Sequence, residues 1–334
     1  MGYAAEKKIV ENKRKIAKRI LFLVFFVLFV ALIIVSAVIP VNTWKYRVKL
    51  PKTGVRADGE LRIHFIDVGQ GDATLIELPD GKIMLVDGGD GSDEATKALI
   101  RYLNALKIQK IHYLLVTHAD DDHCGGLDEV LKFFSVSRAF LPYVKPSINN
   151  EFASFYKSVT QSGCDLQYSS RKISLSTESY TLQFLYPYTN DVQNAVENGE
   201  YFEYTNEASA VFWLDYQGVS TLFTGDAPTK ILHALIDEDS LGLLSGLGVT
   251  LDSTEILKVS HHGSKDGTDG KTLDYFGVKT AVVSCGADNA YSHPHAEVMD
   301  ALVSRFVDCY RTDKDGSVII TVQADGRYGV EKIA

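Results

Sequence analysis

The residues best suited to chemistry stand together in Thr117-His118-Ala119-Asp120-Asp121-Asp122-His123-Cys124-Gly125-Gly126, at the end of an apolar run, IHYLLVTH (111–118), that reads as a buried strand. Two imidazoles and three carboxylates so close together repel one another or compete for protons when left alone, and become mutually stabilising around a divalent cation. The competing reading is a solvated acidic turn that caps the following helix through Asp121 or Asp122. Three further apolar runs end in the same manner. LFTGD delivers Asp226, ILKVSHHGS delivers His261 and His262, and AVVSCGADNAYSHPH delivers His293 and His295. Strand ends on one edge of a sandwich converge in space, so four such termini point to one shared metal centre. His64 and His112 fall inside strands and read as core or surface positions. The 4 cysteines (Cys124, Cys164, Cys285 and Cys309) form no CxxC pair, so neither a thiolate zinc site nor a disulfide framework is indicated. Cys124 reads as a small buried side chain beside a helix start rather than a nucleophile.

These residues need a scaffold. LRIHFIDVG (61–69), ATLIELP (73–79) and KIMLVDGG (82–89) read as strands, the last two joined by a hairpin at Pro79-Asp80-Gly81. Helical spacing runs over 93–107, a helix begins near Gly126, and others lie near 228–237 and 295–306. SRAFLPY, CDLQYSS, TLQFLYP, SAVFWLDY, STLFTGD, EILKVSHHG, KTAVVSCG and SVIITVQ continue the strand series. The expectation is an α/β protein rich in antiparallel hairpins, two sheets packed together and covered by helices. GQGDA (69–73) is either a tight hairpin loop or a close backbone approach through which Gln70 and Asp72 bond ligands or substrate. Ser264 and Lys265, with Asn289 and Tyr291, are candidates for contacting a phosphate, and FEYTNE reads as an acidic surface insert.

The chain has 334 residues, 46% hydrophobic and 23% charged, which excludes a disordered tail, a collagen-like fibre and a polytopic transporter. Residues 20–39 carry no charge, and 20 residues at about 1.5 Å rise just span a ~30 Å hydrocarbon core. They read as a transmembrane helix. Its basic flank, residues 1–19 at +5, places the N-terminus in the cytoplasm and everything after Pro40 across the membrane. A cleaved signal peptide ending at Val35-Ser36-Ala37 is the alternative, although the apolar run exceeds the usual ~7 to 15 residues. Residues 40–59 read as a stalk and 60–334 as the catalytic body. The net charge of −9 leaves −14 outside the basic tail, which argues against nonspecific nucleic-acid binding unless a basic strip or bound cations offset it.

The stretches HFIDVGQGDATLIELPDG, MLVDGG, VTHADDDHCGGL, TLFTGD, LKVSHHGS, the HP of YSHPH and YRTDKDGSVIITV run in order over residues 61–322. This ordered set resembles the metallo-β-lactamase fold hydrolases and, within them, the soluble domain of the ComEC-type competence proteins. The resemblance implies an αββα sandwich with one or two divalent metal ions, zinc or manganese, at its edge. It places His118 and Asp120 on a first ion and Asp122 and His123 on a second, with Asp226 bridging them and His261, His262 or His293 completing the second position. It makes Asp87 a buried carboxylate that orients ligand loops by hydrogen bonds; by itself Asp87 is equally compatible with a turn aspartate. The chain departs from the commonest HxHxDH pattern in having HxDxDH, with Asp120 at the second histidine position. Asn206 and Glu207 stand where many members place another histidine. Oxygen-rich ligation of this kind favours harder ions such as Mn²⁺ or Mg²⁺.

The implied activity is metal-dependent hydrolysis of a phosphodiester, with single-stranded DNA as the leading substrate, a metal-activated water as nucleophile, and His118, Asp122 and Asp226 as the catalytic group. Alternatives are hydrolysis of another extracellular ester or amide, and a non-catalytic, metal-stabilised binding module in the envelope or in DNA uptake.

Overall fold

The chain begins with a single helix, Gly2–Val38, of 37 residues. The expected boundary between a basic tail and an apolar span at 19/20 is therefore internal to one element. The lysines, alanines and glutamates of the basic part are strong helix formers, and Glu11 pairs with Lys15 one turn on at 3.1 Å. Within this helix Lys7–Ser36 is long and apolar enough to cross a membrane. The computed structural model describes residues 2–38, 41–203 and 205–333. Ile39 and Pro40, where the expected span ends and the stalk begins, and Tyr204 in the expected acidic insert, lie outside the described residues.

A second unit starts at Leu50. Among the described residues it holds fourteen strands: β1 (Leu61–Phe65), β2 (Thr74–Glu77), β3 (Ile83–Val86), β4 (Lys110–Leu115), β5 (Ser135–Leu141), β6 (Asp165–Tyr168), β7 (Tyr180–Tyr186), β8 (Val211–Tyr216), β9 (Val219–Phe223), β10 (Ile256–Lys258), β11 (Thr280–Val283), β12 (Asp308–Arg311), β13 (Ser317–Val322) and β14 (Tyr328–Ile333). They form two sheets, in the orders β14-β13-β1-β2-β3-β4-β5-β6 and β12-β11-β10-β9-β8-β7. Each sheet is antiparallel where hairpins connect neighbours and parallel where helices do: β3 to β6 in the first, β9 to β12 in the second. Parallel strands present all their carboxyl ends on one rim, and the loops after β3, β4, β9, β10 and β11 carry the candidate residues.

Leu61, Ile63 and Phe65 of β1 face Phe184, Phe212 and Phe223 of the opposite sheet across a shared apolar layer. The second sheet's other face is covered by helix Thr229–Ser240 through Leu232 and Leu235, and by Leu273 and Phe276 of helix Gly270–Phe276. On the outer face of β1, Arg62 and His64 are also buried. His64 bridges Glu77 at 2.9 Å and the hydroxyl of Tyr102, on helix Asp93–Ala105, at 3.0 Å, so this histidine is spent on internal bonding.

The expected stalk, 40–59, does not behave as one segment, because residues 50–59 belong to the body. The cause is arginine satisfaction. Arg62 donates to the carbonyl of Thr53 at 2.6 Å, and Arg56 donates to the carbonyls of Glu60 and Leu78, both at 2.9 Å. Tyr216 reaches from β8 to the carbonyl of Gly59. A chain starting at Leu50 should therefore be more stable than one starting at Glu60, which strips acceptors from a buried guanidinium at a cost of about 1–3 kcal/mol. The expected difference in Tm is roughly 2–10 °C by differential scanning calorimetry; equal Tm values would make 50–59 a mere linker.

Candidate metal centre

The site is built around the end of β4. Asp87, just past β3 and at φ 59°, accepts from the Thr117 N–H at 2.8 Å and the Thr117 hydroxyl at 2.7 Å, and from His123 Nδ1 at 2.8 Å. With its hydrogen given to Asp87, the Thr117 oxygen is left to accept from His118 Nδ1, 3.1 Å away. His262 Nδ1 donates to the carbonyl of Ser284 at 2.9 Å. Each of the three imidazoles thus has Nδ1 engaged, which fixes the tautomer and leaves Nε2 as a lone-pair donor.

Those Nε2 atoms converge on one carboxylate. Asp226 Oδ1 lies 3.2 Å from His123 Nε2, and its Oδ2 lies 3.4 Å from His262 Nε2 and 3.9 Å from His118 Nε2. Asp122 Oδ2 is 3.1 Å from His262 Nε2, and Asp120 Oδ2 is 3.5 Å from His118 Nε2. Despite this crowding, His118 Nε2 and Asp226 Oδ1 are buried without a hydrogen bond. These two unpartnered atoms sit in a cluster so tight that His123 Nε2 and His262 Nε2 stand 3.3 Å apart, the crowding of ligand atoms around a shared ion. One atom each from Asp72, His123, Asp226 and His262 lie within 4.8 Å of one another. The donor set of buried imidazole and carboxylate fits a divalent cation.

The electrostatics agree. Burial opposes a charge on His123, but Asp226 and Asp87 override it and lift its pKa well above 6.5. Burial likewise works against His262, and Asp226 and Asp122 overcome it. Burial would raise the Asp226 carboxyl; His262, His123 and His118 instead hold it well below the carboxylate range, and Asp122 is lowered in the same way by His262 and His123.

The remaining expected residues are distributed around this centre. His261 is more exposed, with Nε2 3.7 Å from Asp226 Oδ2. His293 is half-buried, its ring 5.4 Å from that of His261 and 6.2 Å from that of His262; burial and the neighbouring His261 and His262 push its pKa down to about 4. His261 and His262 both adopt left-handed φ, 51° and 54°, a conformation histidine tolerates better than most side chains. Gln70 accepts from the Gly286 N–H at 3.1 Å and lines an open cleft of ≈ 520 Å³ with Asp120, Asp121, Asp122, Asn149 and Tyr291. Gly71 lets this loop approach: a Cβ there would sit 2.3 Å from the Asp122 carbonyl oxygen.

Other expected contacts take different partners. Asn289 is saturated within its own loop, donating to the carbonyls of Gly286 and His293 and accepting from the N–H groups of Tyr291 and His293, so it has no donor left for a phosphate. The Ser264 hydroxyl accepts from Asp266 N, and Lys265 offers its backbone N–H to His295 Nδ1 while its side chain is exposed. Asn206 accepts from the Thr205 hydroxyl at 3.4 Å, and Thr205 rather than Asn206 reaches Asp120. The Cys124 thiol is buried, 3.8 Å from the Ala119 carbonyl, and burial pushes its pKa upward, as expected of a structural cysteine. Sequence reading missed Lys258, buried 2.7 Å from Asp72, and Ser209, whose hydroxyl accepts from Asp226 N at 3.2 Å. Nothing in the local pattern marks either.

Comparison with known proteins adds independent findings. Residues 66–287 match the family model described as Metallo-beta-lactamase superfamily. The chain is 27% identical over 279 residues to ComE operon protein 3 of Bacillus subtilis, covering 78% of this chain and 33% of that protein. It is 29% identical over 244 residues to Recombination protein 2 of Haemophilus influenzae, covering 72% and 26%. Against Competence protein ComA of Neisseria gonorrhoeae it is 26% identical over 274 residues, covering 82% and 34%. The chain therefore spans about a third or less of the length of these curated relatives.

Two outcomes are expected. Asp87→Ala releases Thr117 and His123 together and should weaken divalent-ion binding about 10–100-fold by calorimetric titration, with the metal-free protein still folded. In the metal-free state the raised pKa values of His123 and His262 contribute stability that is complete below 6.5 and is lost as pH rises through their folded values; the lowered values of Asp226 and Asp122 contribute stability that is lost on acidification. A metal ion must displace the imidazole protons, so binding near pH 7 should release protons and weaken as pH falls. Binding heats independent of buffer ionisation would contradict this ligand set.

Proposed function

This chain belongs to the metallo-beta-lactamase superfamily, and from that premise we propose that it is a membrane-anchored, metal-dependent hydrolase of phosphodiester bonds acting outside the cytoplasm, with single-stranded DNA as substrate. The observation that carries the reading is the arrangement of His118, His123 and His262, each with Nδ1 held by a protein partner and Nε2 turned toward Asp226. Competence and recombination in the relatives' names support a DNA substrate. The basic flank ahead of the apolar helix supports an N-terminus in the cytoplasm and a body on the far side.

His118 and Asp120 would hold a first ion, and Asp122, His123 and His262 a second, with Asp226 between them; zinc and manganese are the fitting ions. What such ions supply when bound is a water made acidic near neutral pH and positive charge against the phosphate oxygens. Asp122, kept ionised by His262 and open to the cleft, is placed to orient that water and take its proton. The hydrolysis needs no protein nucleophile: water oxygen bonds phosphorus, one ester P–O bond breaks, and the departing oxygen leaves protonated. His261 and His293, on the more exposed side of Asp226, are available to the substrate. The cleft's own aspartates repel a polyanion, so substrate binding depends on the cations.

The test is cleavage of end-labelled single-stranded DNA by the full chain in detergent, supplied with Mn²⁺ or Zn²⁺. Chelation should abolish product, and Asp122→Ala should lower kcat by about 10²–10⁴. Stoichiometric metal binding without cleavage of any member of a phosphodiester panel would favour the non-catalytic binding module; turnover of another ester or amide alone would move the substrate class.

A further inference from the structure

Lys258 ends β10 with its ammonium inside the metal-capable cluster. The residue is 3% exposed; its Nζ lies 2.7 Å from Asp72 Oδ2 and donates to the Val259 carbonyl at 3.1 Å. A lysine taken out of water requires a counter-charge, and Asp72 supplies it. Asp72 is equally buried and is fixed through its backbone, donating from N to the Asp122 carbonyl at 3.0 Å and accepting from the Gly89 N–H at 2.8 Å. The adjoining Gly71 is pressed against Asp122. The Asp72 carboxylate is thus held by its loop from below and by Lys258 at one oxygen. The other oxygen, Oδ1, is buried and bonds nothing.

An ion pair serving only to neutralise a buried lysine has no need to stand among ligands. Asp72 does stand there, in the group with His123, Asp226 and His262. A buried carboxylate oxygen without a donor is costly in a folded protein, and an ion among these four residues would satisfy it. We propose that Asp72 is a further metal ligand, binding through Oδ1, and that Lys258 is the positioning residue that occupies Oδ2 and so sets which oxygen faces the ion. The inference rests on the metal-centre reading above and adds to it a ligand from the loop before β2. One more carboxylate oxygen shifts the set toward harder ions, so Asp72 favours Mn²⁺ over Zn²⁺.

The test compares the full parent chain with the double variant Asp72→Asn, Lys258→Met, which removes both charges at nearly constant volume and leaves neither buried and unpaired. Mn²⁺ and Zn²⁺ are titrated separately into each metal-free protein by calorimetry, with Tm measured alongside. The expected result is a Tm close to the parent's, Mn²⁺ binding weakened at least about tenfold at one position, and a smaller loss for Zn²⁺. Parent-like Mn²⁺ affinity in a folded double variant overturns the proposal and leaves the metal centre intact. A parent that binds neither ion overturns the metal centre itself, and this inference with it. Should the double variant not fold, Asp72→Asn alone decides, because the amide oxygen still accepts from Lys258: Mn²⁺ affinity should fall at least about tenfold in the folded protein, whereas parent-like affinity overturns the proposal.

Discussion

The rim of this protein depends on one buried carboxylate. Asp87 closes the end of β4 by accepting both donors of Thr117, and with its remaining capacity it fixes the ring of His123. Thr117, its hydrogen used, can only accept from His118. A single ionised side chain thereby sets the tautomer and direction of two imidazoles, one in the loop after β4 and one in the short helical turn Asp121–Cys124 that follows it. The left-handed backbone of Asp87 places the carboxylate under that loop. The second sheet solves the same problem with backbone, using the Ser284 carbonyl to hold His262.

Much of this was legible in the sequence, for a physical reason. Parallel strands with helical crossovers put their carboxyl ends on one edge, so an apolar run ending in aspartate or histidine announces its position in space. His118, His123, Asp226 and the pair His261–His262 are singled out in that way, whereas Asp87 is singled out only through the family resemblance. That His262, rather than His261 or His293, has its Nδ1 held by a backbone carbonyl could not be read, because the Ser284 carbonyl leaves no trace in residue types. Asn289 was misread for a related cause: an amide side chain in a loop serves its own backbone before it serves a ligand. That residues 50–59 group with the body could not be read from residue types, which do not show that Arg56 donates to the carbonyls of Glu60 and Leu78. Lys258 was invisible because alternation in a three-residue strand cannot separate a buried cation from an apolar neighbour.

The acidity of the body, adverse for a nucleic-acid enzyme at first sight, reads differently at the rim. Asp120, Asp122 and Asp226 are gathered where imidazoles and a divalent ion can balance them, and the open cleft continues the same charge outward through Asp121 and Asp90. On the proposed function, attraction for an anionic substrate is then conditional on metal loading rather than permanent.

The tandem left-handed pair His261–His262 carries a last consequence, for how such a centre can be lost over time. Position 262 is constrained twice, once by a left-handed backbone that disfavours branched side chains and, on the proposed metal centre, once by a ring nitrogen. Asparagine meets the first demand and fails the second. A lineage that no longer needs the chemistry therefore has a one-step route to silence that keeps the sandwich whole, so inactive descendants of such a chain should be recognisable by an amide where the imidazole stood, long before the surrounding strands drift.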